Sequence, residues 1–328
     1  MRILTGSDVQ CALSMRDAIT IVKRAFAELS TGKAHVPLRS AIPQEKNYGT
    51  TLLMPGYLFE SDALAVKIVS VHDRNRERNL PLIHALVVLI DSVTGQPLSV
   101  MEGSYLTALR TAAASGVATE LLARADAQVA AIFGAGAQGR AQLLALCAVL
   151  PIKRAWIYDR KPLQVKSFIS QMQDRLEQSV ELLAAESPAQ AVREAEVICT
   201  ATTSLTPVFD GADLQPGTHI NGIGSYMPHM QEVDVATLRR ASKIVVDSRA
   251  SALAEAGDLL VALEQDAIHP TDIYSEIGEI AAGMKAGREN AKEITYFKSV
   301  GNAVQDVGVA IEVYHQALKR NLGVEVEL

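Results

Sequence analysis

Residues 127–143 read AQVAAIFGAGAQGRAQL. A short apolar run, AQVAAIF, meets three glycines inside seven residues, FGAGAQG (133–139), and an apolar helical segment follows. This is the layout of a strand, a tight turn and a helix that together hold a pyrophosphate. Gly134 permits the turn, Gly136 lets the backbone approach the phosphates, and Gly139 lets the helix pack close to the strand. Gln138 lies in the same turn and counts among the cofactor contacts. The first turn of the helix offers unpaired N–H groups and a positive dipole end. A lone glycine motif is a weak signal, so the second strand matters. It should end on an acid about 20 residues further on, for the adenosine ribose. Asp159, in WIYDRK (156–161), stands at that place. The stretch therefore reads as a dinucleotide cradle.

Outward from the cradle, strands and helices alternate. AWIYD, VELLAA, EVICTAT, THINGIG and SKIVVD read as strands, and the segments at 162–178 and PAQAVREA as helices. Such alternation means a doubly wound parallel sheet. It begins near residue 120 and fades before 290. The fold expected is α/β: a Rossmann domain over 119–299, inserted into a second α+β domain built from 1–118 and 300–328. That second domain holds a helix from Ser14 to Gly32 and the strands TTLLMP, ALAVKIVSV and LIHALVVLI. The last is apolar almost throughout, so it reads as a central strand covered on both faces. A long helix, GNAVQDVGVAIEVYHQALKRN, closes the chain with Val304, Val307, Ile311 and Leu318 along one stripe.

Composition limits the partners. The chain is 48% hydrophobic and 21% charged, with a net charge of −6 and no basic block. Nucleic acid and acidic membranes are poor partners for such a surface. No segment approaches the ~20 apolar residues of a membrane span. Cys11, Cys147 and Cys199 form no CxxC pair, which suits buried thiols in a reducing compartment, the cytoplasm, and no metal site.

The cofactor expected is NAD(H) ahead of NADP(H). Asp159 would repel a 2′-phosphate, although Arg160 and Lys161 follow it and can clasp one. Thr200, Thr202 and Thr203 end the strand EVICTAT, where ligands of such sheets bind; a plain polar turn is the alternative. The other domain must hold the substrate. Lys67 sits between apolar neighbours in ALAVKIVSV, which is costly for an unpaired charge, though an edge strand would tolerate it. Arg110, in YLTALRTAAASG, is the charge of an otherwise neutral helix segment. Its guanidinium suits a carboxylate ligand or a structural ion pair. Arg39, in HVPLRSAI, is the third cation and also suits a plain surface position.

Together VPLR, LLMP, VKIVS, LPLIHALVVLID, TGQPL, YLTALRTAAASG, FGAGAQG, GTHINGIG and FKSVGNAVQDV resemble the ornithine cyclodeaminase and mu-crystallin family of NAD(P)-dependent enzymes. The resemblance runs from about residue 36 to 310. It implies a Rossmann domain with a second domain that makes a homodimer. It implies carboxylate binding by Arg39, Lys67 and Arg110, and a place near the cofactor phosphates for Thr111. It places Lys298, Ser299 and Gly301 beside the nicotinamide. Cyclodeaminases of this family carry an Asp after GTHINGIG that is thought to hold the distal amine of ornithine. Here Tyr226 fills that position, and a phenol of ordinary pKa, about 10, is no counter-ion for an ammonium group at neutral pH. The activity expected is therefore reduction of a small cyclic imino acid, such as Δ1-pyrroline-2-carboxylate to L-proline. Ornithine cyclodeamination, L-alanine dehydrogenation and a non-catalytic binding role are the alternatives, in that order. Lys67, Tyr226, His84 or a water would supply the proton; a core histidine bonded to backbone is the other reading of His84.

Overall fold

The computed structural model describes residues 1–176 and 179–327. Positions 177 and 178, the last two of the helix expected over 162–178, lie outside the described residues, as does 328. Two compact units divide the chain: Thr111–Gly301, and Met1–Arg110 together with the chain from Asn302 onward. The division falls inside the helix Gly103–Leu122, where no turn residue marks it in the sequence.

The unit Thr111–Gly301 is built on an eight-stranded parallel sheet. Val129–Phe133 is flanked on one side by Arg154–Tyr158 and then Glu181–Ala184. On the other side lie Val197–Thr200, His219–Gly222, Thr295–Lys298, Lys243–Val246 and Ile273–Glu276. Every pairing is parallel. VICT and KIVV are buried at every position, as expected of strands with helices on both faces. Strand order reverses direction between Val129–Phe133 and Val197–Thr200, which makes a topological switch point at their carboxyl ends. The helix Ala137–Val149 follows the first strand, and Pro162–Gln173 follows the second.

The other unit carries a mixed sheet whose long strands, Gly49–Leu58, Ala63–His72, Ile83–Ile90 and Pro97–Glu102, run antiparallel to one another, while Arg2–Leu4 pairs with Pro97–Glu102 in parallel. Its inner face takes the helix Ala303–Arg320. A Cβ added to Gly56 would stand 3.0 Å from Val307 Cγ2, so the side chains of Val307 and Ala303 rest directly on the strand backbone at that point. Asn302 caps this helix through its side chain, and Asn321 ends it in the left-handed region. The expectation that LIHALVVLI is covered on both faces does not hold within this chain. Residues 83–90 alternate, with Ala85, Val87 and Leu89 buried and Leu86 48% exposed. This strand is antiparallel to both of its neighbours, and here one face packs on the core while the other is left open.

Candidate active site

Lys67 lies on an interior strand, paired with Met54 on one side and Val87 on the other. Its edge-strand reading is thereby excluded. The side chain points to the covered face and is 2% exposed. A lysine buried there needs an anion, and Asp306 supplies it. Nζ lies 2.8 Å from Oδ2 and donates to Oδ1 at 3.0 Å. Arg110 shares the same carboxylate, with Nε donating to Oδ1 at 2.9 Å while Nη1 donates to Gln305 Oε1 at 2.5 Å. Burial, followed by the Arg110 guanidinium, pushes the Lys67 ammonium down to about 7; Asp306 opposes that fall, and the half-buried Arg39 adds to it. A lysine lowered in this way is the kind of group that proton transfer uses. Arg110 and Arg39 thus both act electrostatically on Lys67, with Asp306 the internal partner of Lys67 and Arg110, and Gln305 that of Arg110.

His84 does not join them. It pairs with Ser70, one step out of phase with Lys67, so the pleat turns its exposed side chain to the opposite face of the sheet. Neither the catalytic nor the core-histidine reading of His84 fits that position.

In the unit Thr111–Gly301, the glycine turn has the geometry its residues imply. Gly134 sits at φ +102°, and a Cβ there would stand 2.5 Å from Ala201 O. A Cβ on Gly139 would stand 2.0 Å from Gly134 O, so the helix packs directly on the turn. Gly136 is different: a Cβ there meets nothing within 4 Å. It caps a helix whose first amides have no side-chain cap. Open space before unpaired amides is what an incoming pyrophosphate requires. Gln138, half-buried, leaves its Oε1 without a hydrogen bond. The residues present fit a dinucleotide.

Asp159 stands at the carboxyl end of Arg154–Tyr158. Its Oδ2 accepts from Ala135 N at 3.0 Å and its Oδ1 from Lys161 N at 2.9 Å. These bonds fix the carboxylate beside the turn and leave lone pairs for a ribose. Arg160 is exposed next to it, and Thr111 is buried in its helix. Thr203 is exposed. Thr202 is half-buried, and its hydroxyl accepts from Ser204 N at 3.1 Å. Thr200 is fully buried and donates to Glu232 Oε2 at 2.9 Å, so its hydroxyl serves the interior. Tyr226 is half-buried against the core of this unit.

The segment expected beside the nicotinamide is also turned inward. Lys298 is fully buried, with Nζ 3.0 Å from Asp258 Oδ2. Ser299 Oγ donates to Asp247 Oδ2 at 2.8 Å, and the Gly301 amide donates to the same oxygen at 2.8 Å. These contacts fasten the segment to Asp247 and Asp258. Sequence reasoning missed Asp306, Gln305, Asp247, Glu232 and Asp258. Asp306 had a signal: it shares a helix face with Ala303 and Ala310, so an acid there points into a core that already holds two cations needing a partner.

A glycine turn opening a helix at the switch point of a parallel sheet, with an acid at the end of the next strand, defines a dinucleotide-dependent α/β protein of the dehydrogenase kind. The profile of the ornithine cyclodeaminase/mu-crystallin family matches residues 1–321. The chain belongs to that family. It is 38% identical, over the full length of both, to a Δ1-pyrroline-2-carboxylate reductase of Bacillus cereus. The structure of the Thermococcus litoralis Δ1-pyrroline-2-carboxylate reductase in complex with NADH and L-proline is similar at TM-score 0.96 and 44% identity, covering 99% of this chain and 100% of that one. An archaeal alanine dehydrogenase dimer with bound NAD is similar at TM-score 0.93 and 38% identity, covering 100% of this chain and 99% of that one.

Proposed function

We propose that this chain is an NADH-dependent reductase of small cyclic α-imino acids, with Δ1-pyrroline-2-carboxylate reduced to L-proline. The observation that carries the reading is the buried Lys67–Asp306–Arg110 cluster in one unit of a chain whose other unit holds a dinucleotide cradle. Likeness along its whole length to two reductases of that substrate supports it. Bound NADH would supply a hydride to the imine carbon. Amides from Gly136 to Gly139, at the uncapped start of the helix, would hold its pyrophosphate and Asp159 its ribose, which disfavours a 2′-phosphate.

Arg110 and Arg39 anchor the carboxylate of the substrate. Arg110 is held for that task by Asp306 at Nε and Gln305 at Nη1, which leaves the Nη2 side of its fork for a ligand. Lys67 holds a proton near neutrality and gives it to the imine nitrogen as that nitrogen becomes an amine. Orientation of this kind contributes roughly 7–11 kcal/mol in favourable cases. Tyr226 is a wall and not an acid. Its place, where a cyclodeaminase has Asp, argues against ornithine as substrate.

The open face of the antiparallel sheet is the surface for a second copy of the chain. Ile68 and Leu86, cross-strand neighbours, are exposed there, with Ile42 in the adjoining row. Light scattering of the purified chain tests the dimer. Cys11, Cys147 and Cys199 are free thiols, in keeping with a cytoplasmic setting. A panel of imino acids and ornithine, assayed at 340 nm with NADH and NADPH, tests the function. Oxidation of NADH by Δ1-pyrroline-2-carboxylate is expected. Cofactor-neutral release of ammonia from ornithine would replace this reading with cyclodeamination.

A further inference from the structure

Resting on the dinucleotide reading above, we propose that Glu232 is a positioning residue for the cofactor, its buried carboxylate fastening the loop after Val197–Thr200 to the loop after His219–Gly222. These strands are neighbours in the sheet, and both loops leave from the carboxyl edge where the glycine turn also lies. Glu232 is fully buried. Its Oε1 accepts from Thr202 N at 2.6 Å in the first loop. Its Oε2 accepts from Gly224 N at 2.6 Å and Ser225 N at 3.2 Å in the second, and from Thr200 Oγ1 at 2.9 Å. Four donors converge on one carboxylate, which uses most of its accepting capacity. The loops then touch: a Cβ on Gly224 would stand 2.1 Å from Thr202 O.

Glu232 is itself held. Its amide and that of Val233 donate to Asp258 Oδ1 at 2.7 and 3.1 Å. Asp258 Oδ2 takes the Tyr296 hydroxyl at 3.1 Å and the Lys298 ammonium at 3.0 Å. Burial raises the Glu232 carboxyl, and the Lys298 charge opposes that rise. Lys298 is thus the cation that lets two carboxylates sit in the interior. The arrangement runs from the strand Thr295–Lys298 through Asp258 and Glu232 to the two loops, one of which carries Tyr226. Loop amides at a sheet edge are ordinarily satisfied by water and move with it. Amides bound to a buried anion are held by shorter, charge-assisted bonds.

Glu232→Gln keeps the shape of the side chain and replaces one acceptor by an NH2 group that opposes the loop amides. The experiment compares the wild-type protein, E232Q, and V192A, a core variant of the same unit. Each is titrated with NADH by fluorescence and assayed with Δ1-pyrroline-2-carboxylate, below the melting temperature of all three. E232Q is expected to raise the NADH Kd by about tenfold or more, while V192A, destabilised but with both loops fastened, binds NADH as the wild type does. NADH binding by E232Q within twofold of wild type, with kcat unchanged, would overturn the proposal. A wild-type protein that does not bind NADH at all would instead overturn the dinucleotide reading. Should E232Q not fold, T200V carries the test, since it removes one bond to Oε2 and leaves the charge. A rise in NADH Kd of about two- to fivefold supports the positioning role, and no rise overturns it.

Discussion

Asp306→Asn keeps the volume of the side chain and removes an anion that Lys67 and Arg110 share. At contacts of 2.8 and 2.9 Å, each charge pair is worth about 6 kcal/mol gross at an effective dielectric of about 20. The net loss is smaller, because both cations also regain hydration on unfolding; breaking a buried pair costs about 3–5 kcal/mol. The sharper effect is on the proton. Lys67 already lies near 7 while Asp306 holds it up. Losing a contacting opposite charge lowers an ammonium by about 1–3 units. A drop of about 1–2 units cuts the protonated fraction at pH 7 by roughly 5–50-fold. The assay is kcat/KM for Δ1-pyrroline-2-carboxylate with NADH, from about pH 5 to 9, with urea unfolding of both proteins to confirm the fold. Wild-type kcat/KM should fall as pH rises through about 7, and D306N should lose its activity at lower pH. The ionisation of the substrate is common to both profiles, so the displacement between them belongs to the enzyme. A folded D306N whose profile superimposes on the wild type would refute Lys67 as the proton donor and Asp306 as its support.

Gly136→Ala separates the cradle from the fold. Its Cβ meets no protein atom within 4 Å, so thermal stability should stay within about 0.5 kcal/mol, while NADH affinity measured by fluorescence should fall at least tenfold because the methyl occupies the pyrophosphate's space. His84→Ala should leave kcat/KM within about twofold, since the exposed imidazole faces away from Lys67; a large loss would restore it to the mechanism. His219 gives a pH test of stability. Burial, then Arg288, pushes its imidazolium down to about 3, and its nitrogens bond Thr295 Oγ1 and Asn221 Oδ1. Between pH 6.5 and about 3 the unfolded chain binds a proton that the folded chain does not, so stability falls as the solution is acidified. From pH 6.5 to 5.0 this amounts to about 2 kcal/mol, measurable by urea unfolding, and a folded H219Q should lose that part of the slope.

What the sequence disclosed depends on how local the chemistry is. The dinucleotide turn is legible because its function lies in the backbone of consecutive residues, and only glycine fits where Gly134 and Gly139 stand. Most of the parallel sheet is legible because strands such as Val129–Phe133 and Val197–Thr200 are short apolar runs that alternate with helices, whereas Ile273–Glu276 and Thr295–Lys298, with polar residues among their four, escaped notice. Lys67 and Arg110 stood out because each interrupts an apolar stretch. Asp306 did not, because an acid in the first turn of a helix is ordinary and its partners lie 239 and 196 residues away. Glu232 was silent for another reason: three of its four donors are backbone amides, which carry no residue identity. Ile83–Ile90 misled because the composition of a strand covered on both faces is also that of a strand with an apolar face left open.

The ion pair between Lys67 and Asp306 also sets an order of assembly. Translation adds about 5–20 residues per second, so Asp306 leaves the ribosome roughly 10–50 s after Lys67. Throughout that interval the strand bearing Lys67 has neither its anion nor the helix that covers it. The stretch Thr111–Gly301 is uninterrupted and has no such wait. The middle of this chain can therefore finish folding while its beginning is still held open for its end.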